Sequence, residues 1–489
     1  MGAIEKILVA GEWRPGRGAR YASHYPADGS VNTELCAASI DDVNDSIACA
    51  HEAWQMPDWR GLRPHERAGI LYRIASLIRA RSEELAHLQR RDNGKPISET
   101  RALVASAAGT FQFFAAACET MEETITPPRG DFLTMSVHDP LGVIAAITPW
   151  NSPIASEAQK LAPALAAGCA VILKPAEVTP LAAIALARIC EEAGVPKGVI
   201  AVLPGKGSII GDPIVRHPLV RRVAFTGGTS TGKHLAKLAA DKVMPVSLEL
   251  GGKSPTVVFD DADLDHAVNG VLYGIFSSSG ESCIAGSRLF VQRGLYDAFM
   301  QRLTDAAAKL RVGDPEDERT QMGPLIHEQH RQSVERYVQL GRDEGGTVRL
   351  GGVRPHGGLY DQGTYYLPTI LEGLRHDART VQEEIFGPVL VALPFDDEES
   401  LVAQANDSVY GLAAGLWKRD YKRAWRIARR LDTGTVWINT YKQFSISTPF
   451  GGTKESGLGR EKGRLGILEY TMQKSLYWGL NANPIPWAD

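Results

Sequence analysis

Cys283 stands in the run Phe-Ser-Ser-Ser-Gly-Glu-Ser-Cys-Ile-Ala-Gly-Ser-Arg over residues 276–288, just ahead of a stretch with strand character. Small side chains leave room for a substrate beside the sulfur. A thiolate is the nucleophilic form of cysteine, and a backbone N–H beside it can stabilise an oxyanion. The other cysteines, Cys36, Cys49, Cys118, Cys169 and Cys190, lack that setting and read as small buried hydrophobes. A second signal precedes it in Leu248-Glu249-Leu250-Gly251-Gly252-Lys253-Ser254-Pro255. Glu249 ends an apolar run and opens a Gly-Gly turn. An apolar setting raises a carboxyl pKa and makes the group a usable general base. An exposed glutamate at a strand end has the same local sequence, so this segment alone leaves both readings open.

A third segment competes with this chemistry. Residues 227–233 read Gly-Gly-Thr-Ser-Thr-Gly-Lys and satisfy the G-x4-G-K phosphate loop of nucleotide triphosphatases. The next residue is His234, where that loop needs Ser or Thr to hold magnesium. The same glycines at a helix N-terminus serve the pyrophosphate of a dinucleotide equally well. No C-x-x-C pair and no zinc-like histidine spacing occurs, so no metal site is expected.

These residues need elements to position them. Residues 41–121 read as helices, with Ala68, Leu71, Ile74 and Leu77 at helical spacing. Strands are expected at 141–148, 170–173, 199–203 and 222–225, and helices at 154–167, 181–193 and 230–240. A second alternating stretch has strands at 256–259, 287–292, 389–393 and 435–438, and helices at 263–275 and 295–310. Alternation of this kind means βαβ units and parallel sheets, with ligands beyond the carboxyl ends of the strands. Residues 470–478 read as an extended arm whose apolar side chains call for cover by another subunit.

The chain has 489 residues, 44% hydrophobic and 22% charged, with a net charge of -4. At roughly 150 residues per unit, that length allows two to four domain-sized units. The charge balance argues against nucleic acid, whose phosphates demand a basic face. No uninterrupted apolar run reaches the roughly 18 residues of a membrane span. Residues 1–6 lack a signal core, and sparse cysteine suits a reducing compartment. A soluble cytoplasmic protein without a membrane partner is expected.

Taken together, the cysteine and glutamate segments resemble the two signature motifs of the aldehyde dehydrogenase superfamily, in the family's order. Further segments resemble the same family: Pro149-Trp150-Asn151, Lys174-Pro175-Ala176-Glu177, Phe225-Thr226-Gly227-Gly228, residues 383–388 (Glu-Glu-Ile-Phe-Gly-Pro) and residues 449–457 (Pro-Phe-Gly-Gly-Thr-Lys-Glu-Ser-Gly). The resemblance implies two Rossmann-like α/β domains with a small β oligomerisation arm. Residues 1–120 and 141–248 would bind NAD, 249–468 would carry catalysis, and 121–140 with 469–489 would form the arm of a dimer or tetramer.

The resemblance also implies roles. Cys283 would attack an aldehyde, with the Asn151 amide holding the oxyanion, and Glu249 would activate the water that hydrolyses a thioester. Lys174 is placed with both the catalytic and the cofactor sets. Trp150, Glu177, Gly227, Gly228, Glu384 and Phe386 complete the cofactor set. Glu177 would accept the ribose hydroxyls of NAD and repel the 2′-phosphate of NADP, with Lys174 leaving some tolerance for NADP. Relatives that pass the acyl group to coenzyme A usually lack the glutamate, so an acid product is expected, with acylation of coenzyme A as the alternative. A phosphate-loop triphosphatase and a non-catalytic binding protein are the remaining readings. The substrate pocket is assigned to Ser152, Ser277, Ser282, Ile284, Phe444 and Phe450. Ser152 and Ser277, where aromatics often narrow the tunnel, suggest a bulkier or functionalised aldehyde. Lys442 at the tunnel mouth would favour a carboxylated one, although a solvated lysine is the favoured reading of that residue. Glu281 is expected to point away from the sulfur.

Overall fold

Strands covered on both faces read as near-continuous apolar runs, and Val143–Ile147, Ala170–Lys174 and Ile200–Val202 are buried throughout, with Lys174 the one charged residue among them. In the computed structural model, which describes residues 4–482, these strands form the middle of an eight-stranded sheet. Its spatial order is Glu12–Arg14, Ile7–Val9, Ile200–Val202, Ala170–Lys174, Val143–Ile147, Val220–Thr226, Val246–Glu249 and Gly457–Leu458. The central five strands are parallel. From Val143–Ile147 the chain builds first toward Ala170–Lys174, then returns to place Val220–Thr226 on the other side. That reversal makes a crevice at the carboxyl ends of these two strands. Helices Pro153–Ala167, Leu181–Glu192 and Thr229–Ala240 make the crossovers. The first tolerates Pro163 and stops at Gly168, whose φ of 87° is the left-handed cap expected there.

A seven-stranded sheet runs Thr347–Leu350, Thr369–Glu372, Val389–Phe395, Arg288–Gln292, Pro255–Val258, Ala413–Trp417 and Thr435–Ile438, parallel except for its first pair. An apolar cluster packs on each face, one around Phe276, Phe299 and Trp417 and one around Phe259, Phe290 and Leu401. The first sheet ends its strand at Glu249 and the second begins at Pro255, so residues 250–254 pass directly from one to the other. The alternating elements expected from sequence are all present, with ends shifted by a few residues.

Two features depart from the sequence reading. Gly457–Leu458 returns to the edge of the first sheet, pairing with Leu248 and Glu249, so a unit spanning 249–468 does not follow the sheets. A two-residue strand carries no periodic signal. Within the helical stretch expected at 41–121, helix Ile97–Glu119 is long and apolar enough to cross a membrane by length and composition, although polar residues interrupt it. It packs against helices Pro64–Ala80 and Pro153–Ala167, with Phe111 and Phe114 buried. The short strands Ile7–Val9 and Glu12–Arg14 and the hairpin Arg20–His24 with Val31–Cys36 went unread.

The tail strand, expected at 470–478, is Thr471–Gly479. It pairs antiparallel with Phe132–Pro140 along all its length, and Thr124–Thr126 adds a third strand. Tyr477, Trp478, Met472, Leu476 and Ile125 stand exposed on this ribbon. Residues 483–489 of the expected arm lie outside the described residues.

Candidate active site

Three strand ends of the first sheet converge. Trp150 and Asn151 follow Val143–Ile147, Gly227 and Gly228 follow Val220–Thr226, and Leu250 and Gly251 follow Val246–Glu249. With Glu249, Cys283, Glu384 and Phe386 they line one cavity of about 250 Å³. A groove of about 700 Å³ shares Trp150, Gly227 and Gly228 and extends past Lys174 and Ala176. Another hollow, of about 830 Å³, lies elsewhere, at Arg221, Lys242, Leu465 and Met472, and is lined by none of these residues.

The loop that carries Cys283 is held from outside. After helix Leu264–Phe276, Ser278 and Ser279 take φ values of 57° and 53°, and Gly280 follows at 73°. Left-handed backbone costs a residue with a side chain roughly 1–2 kcal/mol. Glu99, on helix Ile97–Glu119, offsets this. Its carboxylate accepts the Ser278 N–H at 2.7 Å and the Ser278 hydroxyl at 2.8 Å. Ser279 Oγ donates to Gly323 O at 2.8 Å. A Cβ at Gly280 would lie 2.1 Å from Gly387 O, so only glycine fits. Nothing in the sequence around Glu99 marks it as a partner of this loop.

Beyond the turn, the Glu281 carboxylate accepts the Ile326 N–H at 2.8 Å. Burial raises its pKa to about 8. Asn151 Nδ2 donates to Glu281 O at 3.0 Å, which sets that amide beside the cysteine turn. Cys283 is half-buried. Its thiol is pushed up to about 12 by burial first, then by the negative charges of Glu384 and Glu249, with Lys442 opposing.

Glu249 is 4% exposed, and neither carboxylate oxygen has a hydrogen-bond partner among the described residues. Burial, then the charge of Glu461, raises its pKa well above the ordinary value, against Lys160, Arg460 and Lys462. Glu461 itself is paired with buried Lys160 at 2.5 Å. Glu384 accepts the Gly252 N–H at 3.0 Å and is raised by burial to about 7. Phe386, at φ 57°, sets its ring edge-on to Trp150 at 5.2 Å.

Lys174 lines the long groove rather than the cavity at Cys283. Its ammonium donates to Pro175 O at 3.1 Å, and burial lowers its pKa to about 8. Glu177 is half-buried in the turn just past Ala176. Gly228 faces open space at the N-terminus of helix Thr229–Ala240. Lys233, the lysine a phosphate loop would use, pairs instead with Glu455 at 2.6 Å, and His234 contacts Asp212 at 2.8 Å. Both contacts oppose the triphosphatase reading. Sequence reasoning missed Gly207, Gly211 and Asp212, which line the groove from a turn with no motif of its own.

Among the expected pocket residues, Ser277 Oγ donates to Tyr273 O at 2.6 Å and accepts Lys442 Nζ at 2.8 Å. Lys442 is therefore engaged with the cysteine turn, within the field of Glu99, and is not a lysine free at a tunnel mouth. Ser152 and Ser282 are half-buried. Ile284 is buried, and its carbonyl accepts the Tyr441 hydroxyl at 3.1 Å. Phe444 and Phe450 meet edge to face at 5.4 Å. Unforeseen is Lys462, whose Nζ stands over both rings.

The model of the aldehyde dehydrogenase family matches residues 13–476. A betaine aldehyde dehydrogenase of Bacillus subtilis (strain 168) is 41% identical over 485 residues, 99% of each chain. Among solved structures, a betaine aldehyde dehydrogenase of Staphylococcus aureus in complex with NAD+ is 36% identical with a TM-score of 0.97, over 99% of this chain and 97% of that one. An NAD-dependent aldehyde dehydrogenase of Sinorhizobium meliloti is 38% identical with a TM-score of 0.97, over 100% of this chain and 97% of that one. The family model spans nearly the whole described chain, the similar proteins match it from end to end, and the chain belongs to the aldehyde dehydrogenase family.

Proposed function

We propose that the protein oxidises an aldehyde to a carboxylic acid with NAD, through a covalent adduct on Cys283. One observation carries this reading: Cys283 and the partnerless carboxylate of Glu249 line the same small cavity, which opens toward the groove at the strand reversal. That groove suits a dinucleotide. Its floor is a helix N-terminus behind Gly228, where backbone N–H groups favour a pyrophosphate. Lys174 lines it, with Glu177 within the range of its charge, and the two would take the ribose, with Glu177 favouring NAD over NADP. The bound nicotinamide would supply the hydride acceptor.

The residues of the chain do the rest. The Cys283 thiol gives its proton to solvent water, the resulting thiolate adds to the aldehyde carbon, and the carbonyl oxygen takes up negative charge. The Asn151 amide and the Cys283 N–H stabilise that oxyanion. After hydride loss the acyl group is a thioester on Cys283. Glu249 takes a proton from water, which attacks the acyl carbon and releases the acid and the thiolate. An orphaned carboxyl held high by burial suits that task better than an ion-paired one. Its presence favours hydrolysis over transfer to coenzyme A. Serine at 152 and 277 favours a bulkier or functionalised aldehyde. The apolar ribbon of Thr471–Gly479 favours a homo-oligomer.

The test is NADH formation with a panel of aldehydes, with and without coenzyme A, in wild type and Cys283→Ala. Activity that is lost in the variant and indifferent to coenzyme A is expected. An equally active variant, or strict need for coenzyme A, would refute the hydrolytic thioester route.

A further inference from the structure

Two aromatic faces near the reaction site are already covered by a cation of the chain itself. Lys462 Nζ lies 3.9 Å from the ring centre of Phe444 and 5.5 Å from that of Phe450. Phe450 and Cys283 pack against the same apolar cluster. The Phe450 N–H donates to Glu461 O at 2.8 Å and its carbonyl accepts the Glu461 N–H at 2.7 Å. At the next residue, Gly451, a Cβ would lie 2.9 Å from Glu249 Oε1.

Lys462 is 6% exposed. Its ammonium has no hydrogen bond or ion pair among the described residues, since the neighbouring Glu461 is taken by Lys160. Its backbone sits at φ 61° and ψ 179°, a region that is close to glycine-only and costs a lysine roughly 1–3 kcal/mol. The fold therefore holds a cation, at a cost, with its three donors unused. Ring faces give it only partial compensation for lost water. Lys442, the other lysine of this region, is bound to Ser277 and is not available in the same way.

Aromatic faces are a usual resting place for quaternary ammonium groups. Here those faces carry a like charge. We infer that Lys462 selects the charge at the far end of the substrate: the pocket rejects an aldehyde with a quaternary ammonium tail and takes one with a carboxylate tail, which pairs with the Lys462 ammonium. This rests on the proposal that the enzyme oxidises aldehydes at Cys283, and it sets the chain apart from relatives that are named for betaine aldehyde.

The experiment measures kcat/KM with NAD for three aldehydes of similar size: butyraldehyde, succinic semialdehyde and betaine aldehyde. The expected order is anionic, neutral, cationic. The anionic-to-neutral ratio should be about tenfold or more, the value of a hydrogen bond between charged groups. Lys462→Met should bring that ratio near one and raise the relative rate with betaine aldehyde, while Lys462→Arg should keep the wild-type order. Wild type preferring betaine aldehyde to butyraldehyde would overturn the inference, and so would a ratio unchanged in Lys462→Met. Should that variant fail to fold, the wild-type order and Lys462→Arg still decide. Turnover of butyraldehyde alone would sink the charge selection and leave aldehyde oxidation standing. No turnover of any aldehyde would remove both.

Discussion

Replacing Glu249 with glutamine separates the two halves of the proposed reaction. Both oxygens of the Glu249 carboxyl are buried and have no hydrogen-bond partner among the described residues, so the isosteric amide breaks none of the hydrogen bonds seen there and removes a poorly solvated acid. Folding stability should be unchanged or slightly higher, because burying a carboxylate costs more than burying an amide. Catalysis should respond differently. A general base contributes about 100- to 10,000-fold, or about 2.7–5.4 kcal/mol of barrier. Attack by Cys283 does not require this base, whereas water attack on the thioester does. The loss should therefore fall on deacylation alone. Rapid mixing with aldehyde and NAD should give a burst of NADH near one equivalent per active site, followed by a steady rate at least about 100-fold below wild type. Strong nucleophiles such as hydroxylamine should restore turnover. A steady rate within a few-fold of wild type would show that another group activates water. Loss of the burst itself would place Glu249 before hydride loss and refute the division of labour.

Three other outcomes follow from the same geometry. Glu99→Ala removes both bonds to Ser278 and frees a turn with two left-handed serines; kcat should fall about 100-fold, the cost of a misplacement of about 1 Å, while cofactor affinity measured by fluorescence titration stays the same, and an unchanged kcat would refute the loop's need of Glu99. The Cys283 thiol is held up to about 12, so its thiolate fraction and its alkylation by iodoacetamide should rise about tenfold per pH unit from pH 7 to 9; Glu384→Gln removes the first opposing charge and should speed alkylation at pH 8, and a plateau below pH 8 in wild type would contradict the buried, anionic setting. Tyr477→Glu with Trp478→Glu puts charge on the exposed face of the tail ribbon; light scattering should show a smaller assembly with an unchanged far-UV spectrum, and an unaltered mass would remove this ribbon from the subunit contact.

Some of this molecule is legible in its sequence for a physical reason. Strands such as Val143–Ile147 are buried on both faces, so the apolar run that marks them is the run that folding requires. Cys283 and Glu249 were readable because thioester chemistry admits few residue types, and those types stand in short contiguous motifs. The support for them was not readable. Glu99 lies 179 positions before Ser278, and Lys160 lies 301 before Glu461. A pairing over such a distance leaves no local pattern in either segment. The same limit explains the two lysines. In sequence, Lys442 and Lys462 are both cations near the late motif, and only Lys442 drew attention because it stands beside the expected pocket wall. Packing reverses their parts: a serine hydroxyl 165 positions away engages Lys442, while the pairing of Lys160 with Glu461 leaves the Lys462 ammonium over two rings, without a hydrogen bond or ion pair among the described residues. Residue type thus prescribes what chemistry is possible at this site, but which charge is spent on the fold and which is left for a substrate is decided by contacts between distant segments. Substrate preference should accordingly track Lys462 and its neighbours more closely than overall identity to the betaine aldehyde dehydrogenases.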